Sequence, residues 1–278
     1  MVKIALIGIT HIDVESQEKV TSFLNNLKPD AICLELDEYR LEMLLENDMV
    51  NNTEYSEELR QQVVSEEDLV EEQDEEIDLE ELYSGKNYSN ILEKIGFFEN
   101  QIAQITKVDQ PGREMLVAYK LAKELDAAIY LIDRSVNDIS KMLEEEVSAE
   151  EAENFQELVD TLTTERTIVA EPILENENNT KPTIESIENN NGNNEINLFE
   201  VLSLFQDEES IGEILLTFQK SFPKLYSILL EDRNTHMIKE ILKIKDKHQS
   251  IVVIIGYGHV SEIAKGLKEN GIEVEILN

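Results

Sequence analysis

Residues 2–36, VKIALIGITHIDVESQEKVTSFLNNLKPDAICLEL, decide the fold. An apolar strand from Val2 to Ile7 gives way to helical spacing from Ser16 to Leu27, and a second apolar strand follows from Ala31 to Leu36. Pro29 and Asp30 mark the return turn between them. Strand, helix and strand at this spacing form the βαβ unit of a parallel sheet, whose crossover is almost always right-handed.

The same alternation returns further along the chain. Pro111 opens a helix to about Leu125, and the apolar run Ala127–Ile132 ends in Asp133 and Arg134. The closing part has a long helix from about Phe222 to Lys247, a strand Ile251–Ile255, a helix from about Ser261 to Glu269 and a last strand Glu273–Leu277. Gly271 stands where the last of these helices needs a C-terminal cap. The expected architecture is α/β, a mainly parallel sheet flanked by helices. One domain is built from residues 1–45, 111–143 and 222–278, with acidic helical or disordered insertions at 46–110 and 144–221. Within the second insertion, the Asn-rich low-complexity stretch 175–197 is expected to be partly disordered.

Composition narrows the function. The chain of 278 residues carries 60 acidic against 24 basic side chains, a net charge of −36, which excludes the basic footprint that nucleic acid requires. Anionic membrane surfaces are disfavoured for the same reason. Two explanations of the acidity stand side by side: adaptation to high salt, or acidic segments that keep the protein soluble. The single Cys33 cannot form an internal disulfide, no secretory signal opens the chain, and no apolar run is long enough for a bilayer. A cytoplasmic location is expected.

The first four strands of the frame end in polar residues: Gly-Ile-Thr-His at 8–11, Glu-Leu-Asp at 35–37, Asp-Arg at 133–134 and Gly-Tyr-Gly-His at 256–259. In an open parallel sheet, ligands bind outside the carboxyl ends of the strands, so these four ends are expected to share one crevice. Gly8 and Gly256 are read as letting the chain leave each strand sharply, with Gly258 loosening the second turn, so that His11 and His259 point inward. Two imidazoles with Glu35 suit a divalent ion with open coordination positions. Each histidine also has a plain structural reading, as a helix cap or a buried loop donor, with Glu35 then paired to Arg40.

Glu114 and Arg233 lie on apolar helix stripes, where a charge requires a partner. Glu114 is a candidate ligand or general base. Arg233 is a candidate for a buried ion pair or for stabilising an oxyanion. Tyr257 is placed to line the crevice. The chain has no phosphate-binding loop with Lys-Ser/Thr, no Gly-x-Ser-x-Gly elbow and no paired cysteines for zinc.

The segments 8–20, 29–44, 111–134, 229–237 and 251–263 together resemble the TraB/PrgY/GumN family. That family includes pheromone-shutdown proteins and, more distantly, Wnt-inactivating proteases, and its fold is similar to the erythromycin-esterase and ChaN-like group. The resemblance implies divalent-metal peptidase chemistry. Carried over by motif, the paired histidines fall on His11 and His259, the strand-end glutamate on Glu35, the arginine after it on Arg40 and the middle helix's acid on Glu114. The Asp-Arg pair falls on Asp133 and Arg134, and the long-helix pattern on Glu231, Arg233, Asn234 and Met237. Many prokaryotic relatives continue into a membrane-spanning C-terminal region that is not seen here.

The resulting expectation is a hydrolase in which His11, His259 and Glu35 hold manganese, cobalt or zinc. Glu35 or Glu114 takes the proton of water, and Arg233, Arg134 or Arg40 meets an oxyanion or a substrate carboxylate. Arg113, Asp133, Glu231 and Tyr257 complete the expected lining for a peptide or small polypeptide. The alternatives are a noncatalytic peptide-sequestering module and, by analogy with distant relatives of the fold, a tetrapyrrole-binding protein.

Overall fold

The computed structural model of the chain describes residues 2–9, 14–52, 112–164, 167–169, 195–197 and 208–277. Its strands are β1 (Lys3–Ile9), β2 (Ala31–Leu34), β3 (Ala128–Leu131), β4 (Thr167–Val169), β5 (Glu195–Asn197), β6 (Ser250–Gly256) and β7 (Val274–Leu277). Five of them form one sheet in the order β3-β2-β6-β1-β7, with every neighbouring pair parallel. β4 and β5 form a short parallel pair of their own.

The helices are α1 (Val14–Leu27), α2 (Glu38–Asn52), α3 (Arg113–Glu124), α4 (Val136–Glu146), α5 (Ala149–Thr164), α6 (Glu208–Ser221), α7 (Pro223–Tyr226), α8 (Arg233–Ile244) and α9 (Tyr257–Glu269). A π-helical turn, Ser227–Asp232, joins α7 to α8.

Because successive side chains on a strand point to opposite faces, the central strands must be apolar at every position if helices cover both sides. Ile7, Ile32, Leu34, Val252 and Ile254 meet Val20 and Leu24 of α1 and Met115 and Ala118 of α3 on one face. Leu6, Cys33, Val253 and Ile255 meet Met237 and Ile241 of α8 and Ile263 and Leu267 of α9 on the other. The chain leaves β2 outward toward β3, but leaves β6 in the opposite sense, across β1 to β7. The crevice between β2 and β6 is therefore the switch point at which such sheets take their ligands.

A third, smaller core joins Ile139 and Leu143 of α4, Phe155 of α5, Phe222, Leu225 of α7 and Ile228 of the π turn. The Glu151 carboxylate accepts from the N–H groups of Lys224 (2.8 Å) and Leu225 (2.9 Å) and so caps α7. Part of the stretch read as an acidic insertion is thus helix with a packed apolar face. Residues 53–111 and 170–194 lie outside the described residues, and the end of the Asn-rich stretch forms β5.

Two boundaries differ from the sequence expectation. The long helix expected from Phe222 to Lys247 is interrupted by the π turn, and α9 starts at Tyr257 rather than near Ser261. Gly271 has φ 76° and donates its N–H to Lys268 O, as its place after the helix requires.

Burial pushes the Cys33 thiol well above its ordinary pKa, so the native thiol stays protonated and shielded. A disulfide-exchange dye is expected to leave native protein unlabelled and to release one equivalent after denaturation. Rapid native labelling would contradict the packing of β2. Among the described residues, no helix is long and apolar enough to cross a membrane.

Candidate functional site

The site begins one residue beyond β2. Glu35 keeps the sheet register through its N–H, which donates to Ile254 O at 3.1 Å, while its carboxylate turns toward the end of β6. There Oε2 accepts the Gly256 N–H at 2.6 Å. Oε1 accepts from Nη2 of Arg233, and the same nitrogen donates to Asp133 Oδ2 at 2.6 Å. Arg233 Nε donates to Asp133 Oδ1 at 3.0 Å. One guanidinium therefore ties the carboxyl ends of β2 and β3 together.

The network continues outward. Arg40 Nη2 donates to Asp133 Oδ2 (2.7 Å) and to Arg134 O (3.0 Å), and Arg40 Nε donates to Asp37 Oδ1 (2.8 Å). Asp37 also caps α2 through the Arg40 N–H (3.0 Å) and accepts the Val136 N–H at the start of α4 (2.7 Å). The local composition explains the placement. Asp37 precedes Arg40 by three residues on one helical turn, and the π turn delivers Arg233, whose Nη1 donates back to Leu229 O at 3.1 Å.

His259 sits in the first turn of α9 and is buried. Its Nδ1 lies 2.6 Å from Asn234 Oδ1. An amide oxygen only accepts, so Nδ1 carries the proton. Nε2 then faces Glu35 Oε1 at 3.2 Å. A neutral ring with Nδ1–H presents a lone pair there, opposite a carboxylate lone pair, and such a pair requires a proton or a cation between them. Ligands about 2.1 Å from one ion and adjacent in its shell stand about 3 Å apart, so the two atoms fit a shared divalent ion. The outer bond to Asn234 is the kind that fixes a ligating imidazole.

The glycines act differently from the sequence reading. Gly256 has φ −59° and ψ 145°, open to any residue, and Gly258 is an ordinary helical position whose added Cβ would meet Leu230 at 3.7 Å. Gly8 is required sterically, because a Cβ there would come within 2.8 Å of the Tyr257 ring and 3.0 Å of Val260. Tyr257 is held over Gly8 by Lys19 of α1, whose ammonium donates to the Tyr257 hydroxyl (2.7 Å) and to Gly8 O (3.0 Å).

Burial alone would raise the acids of the network, but their donors reverse it. Arg233 and Arg40 hold the Asp133 carboxyl below the usual range despite burial and the neighbouring Glu35, and Arg40 with the Val136 N–H does the same for Asp37. A lowered folded pKa contributes stability above the unfolded value near 3.9, and loses it as pH falls through the folded one. Asp37→Asn is expected to cost about 1–2 kcal/mol at pH 7. In urea unfolding the gap from wild type should close toward pH 3; a gap constant from pH 7 to 3 would show that the ionised carboxylate is not responsible.

The structure brings together Glu35, Arg40, Asp133, Arg233 and His259 directly, with Arg134 following Asp133 and Tyr257 beside Gly8. Glu35 pairs with Arg233, and Arg40 with Asp37 and Asp133, in place of the Glu35–Arg40 pair considered from sequence. Glu114 is buried in the first turn of α3, which packs on the sheet face opposite α8, and Arg113 precedes it. Glu231 is exposed, with Gln219 Nε2 3.4 Å from its Oε1. His11 lies outside the described residues. Among the described residues, no three His, Cys, Asp or Glu side chains gather as a metal set.

Lys19 and the bond from His259 to Asn234 were missed by sequence reasoning, and Asp37 was placed among the polar strand ends without a role. The Asp37-x-x-Arg40 spacing was the available signal for that role. The other two join residues that no local pattern connects.

A family model described as TraB/PrgY/gumN matches residues 2–276, acidic stretches included. An uncharacterized protein of Methanocaldococcus jannaschii is 23% identical over 279 aligned residues, covering 99% of this chain and 56% of that protein. The chain thus spans little more than half the length of this curated relative.

Proposed function

The chain belongs to the TraB/PrgY/gumN family, and from that premise and the crevice at the strand ends we propose a divalent-metal-dependent hydrolase of the peptidase type. The observation that carries the reading is His259 Nε2 at 3.2 Å from Glu35 Oε1, with the opposite ring nitrogen committed to Asn234. His259 and Glu35 would hold the ion together with His11. β1 pairs to β6 up to Ile9 beside Gly256, and the two residues that follow can span at most about 7 Å. Bound manganese, cobalt or zinc would supply a Lewis acid for a peptide carbonyl and a more acidic water.

The chain's own residues have separate tasks. Asn234 selects the imidazole tautomer, the Gly256 N–H and Arg233 fix the Glu35 carboxylate, and Glu114 is the candidate proton acceptor. Arg233 and Arg40 balance carboxylates that are already in place, which leaves them poorly suited to a developing oxyanion. That saturation also favours a second reading, a peptide-sequestering crevice without turnover, since both Glu35 oxygens are engaged before any ion is added.

The test is metal content and peptide cleavage by the full chain with manganese, cobalt or zinc, beside His259→Ala and His11→Ala. One bound ion and cleavage, both lost in each variant, is the expected result. Turnover untouched by both substitutions would sink the proposal, and peptide binding without turnover would establish the sequestering reading.

A further inference from the structure

Three arginines were candidates for meeting a substrate anion, and the structure separates them. Arg233 is spent on Glu35 and Asp133, and Arg40 on Asp37 and Asp133. Arg134 is different: its side chain makes no hydrogen bond or ion pair with the described residues, and its Nε is sealed from solvent with no acceptor. In a chain with 60 acidic residues, this guanidinium lies next to a carboxylate that has turned to other donors. Asp133 Oδ1 accepts the backbone N–H of Arg134 at 2.8 Å and Arg233 Nε at 3.0 Å, and Oδ2 accepts Arg40 and Arg233, so Asp133 has no free lone pair for the Arg134 side chain.

An orphaned buried N–H costs about 1–3 kcal/mol and is rare in native proteins. Arg134 is also well placed. It follows β3 at the carboxyl edge of the sheet, and Asp133 and Arg233 connect it to Glu35. His236 of α8 faces the charges of Arg134 and Asp133, and burial lowers its pKa so that the neighbouring ring is neutral near pH 7. The three acids Glu35, Asp37 and Asp133 already balance Arg40, Arg233 and Arg134 in formal charge, and a divalent ion would leave the crevice positive.

We propose that Arg134 is the specificity-determining residue of the crevice and pairs with a carboxylate on the substrate, so that the preferred substrates are short peptides ending in a free carboxylate. This rests on the crevice of the proposed hydrolase but not on its turnover. The planar fork of a guanidinium matches a carboxylate with two parallel hydrogen bonds, and an anchor of that kind fixes the adjacent peptide bond relative to Glu35 and His259.

The test is calorimetric titration of the metal-free full chain with N-acetyl-dialanine and with its C-terminal amide, using wild type, Arg134→Gln and Arg134→Lys. Wild type is expected to bind the carboxylate at least tenfold more tightly than the amide. Arg134→Gln should lose the preference, and Arg134→Lys should keep part of it. Thermal unfolding of Arg134→Gln should match or exceed wild type, because an unpaired donor is removed. Equal binding of acid and amide, no binding of either by wild type, a preference that survives Arg134→Gln, or a lowered melting temperature of that variant would each overturn the proposal. Carboxylate preference without cleavage on adding manganese would instead count against the hydrolase alone.

Discussion

Arg233→Met is expected to lower the unfolding free energy by about 3–5 kcal/mol, the usual cost of removing one partner from a buried ion cluster. The reason is what remains. Glu35 would lose its guanidinium partner while keeping the Gly256 N–H and the His259 ring, and Asp133 would keep Arg40 and its backbone donor, each carboxylate still enclosed. At about 2–4 °C per kcal/mol for a chain of this size, melting should fall by roughly 6–20 °C. Arg233→Lys retains charge without the fork that spans two carboxylates, so it should fall between the two.

The pH dependence of this variant gives a second check. In wild type the Asp133 carboxyl is held below its ordinary value, so its contribution is present above pH 4 and fades as pH drops through the folded pKa. In the variant the enclosed acids take up protons more readily, which relieves their penalty at mildly acidic pH. The second effect shrinks the difference between the proteins as pH falls from 7 toward 4, and the first shrinks it further below pH 4. A cost below about 1 kcal/mol at pH 7, or one independent of pH, would mean that Arg233 is not what neutralises this cluster.

What the sequence made legible follows from how far each signal reaches. The parallel sheet was readable because strands buried on both faces must be apolar throughout, as in IVVII at 251–255, and such runs stand out locally. That polar side chains gather at the strand ends was readable from Glu35, Asp133 and the Gly-Tyr-Gly-His motif, each of which follows such a run. The pairing among those ends was not. Arg233 chooses Glu35 and Asp133 across 198 and 100 residues, and the strand order that makes this possible, with β6 inserted between β1 and β2, leaves no trace in local composition. The π turn was equally hidden, since its residues keep helical hydrophobic spacing while the backbone gains the slack that delivers Arg233. Gly8 was noticed for the wrong reason: its role is set by the ring of Tyr257, which lies almost the whole chain away.

At the metal site proposed above, Asn234→Leu is expected to weaken manganese binding by about 10–100-fold, because the imidazole proposed as a ligand loses its outer partner. Asn234 is buried, and its Oδ1 is the acceptor that keeps the proton on His259 Nδ1. Leucine fills similar space but accepts nothing. The ring is then free to carry its proton on Nε2, where it would donate to Glu35 Oε1 and close the pair against an ion. Asn234→Asp separates acceptor from shape: it restores a partner for Nδ1–H and should recover most of the affinity, while its added buried charge lowers stability. In the double variant Asn234→Leu with His259→Ala, binding should be no weaker than in His259→Ala alone, since Asn234 acts only through the ring. Wild-type affinity in Asn234→Leu, or further loss in the double variant, would show that the bond between these side chains holds the fold and has no part in metal binding.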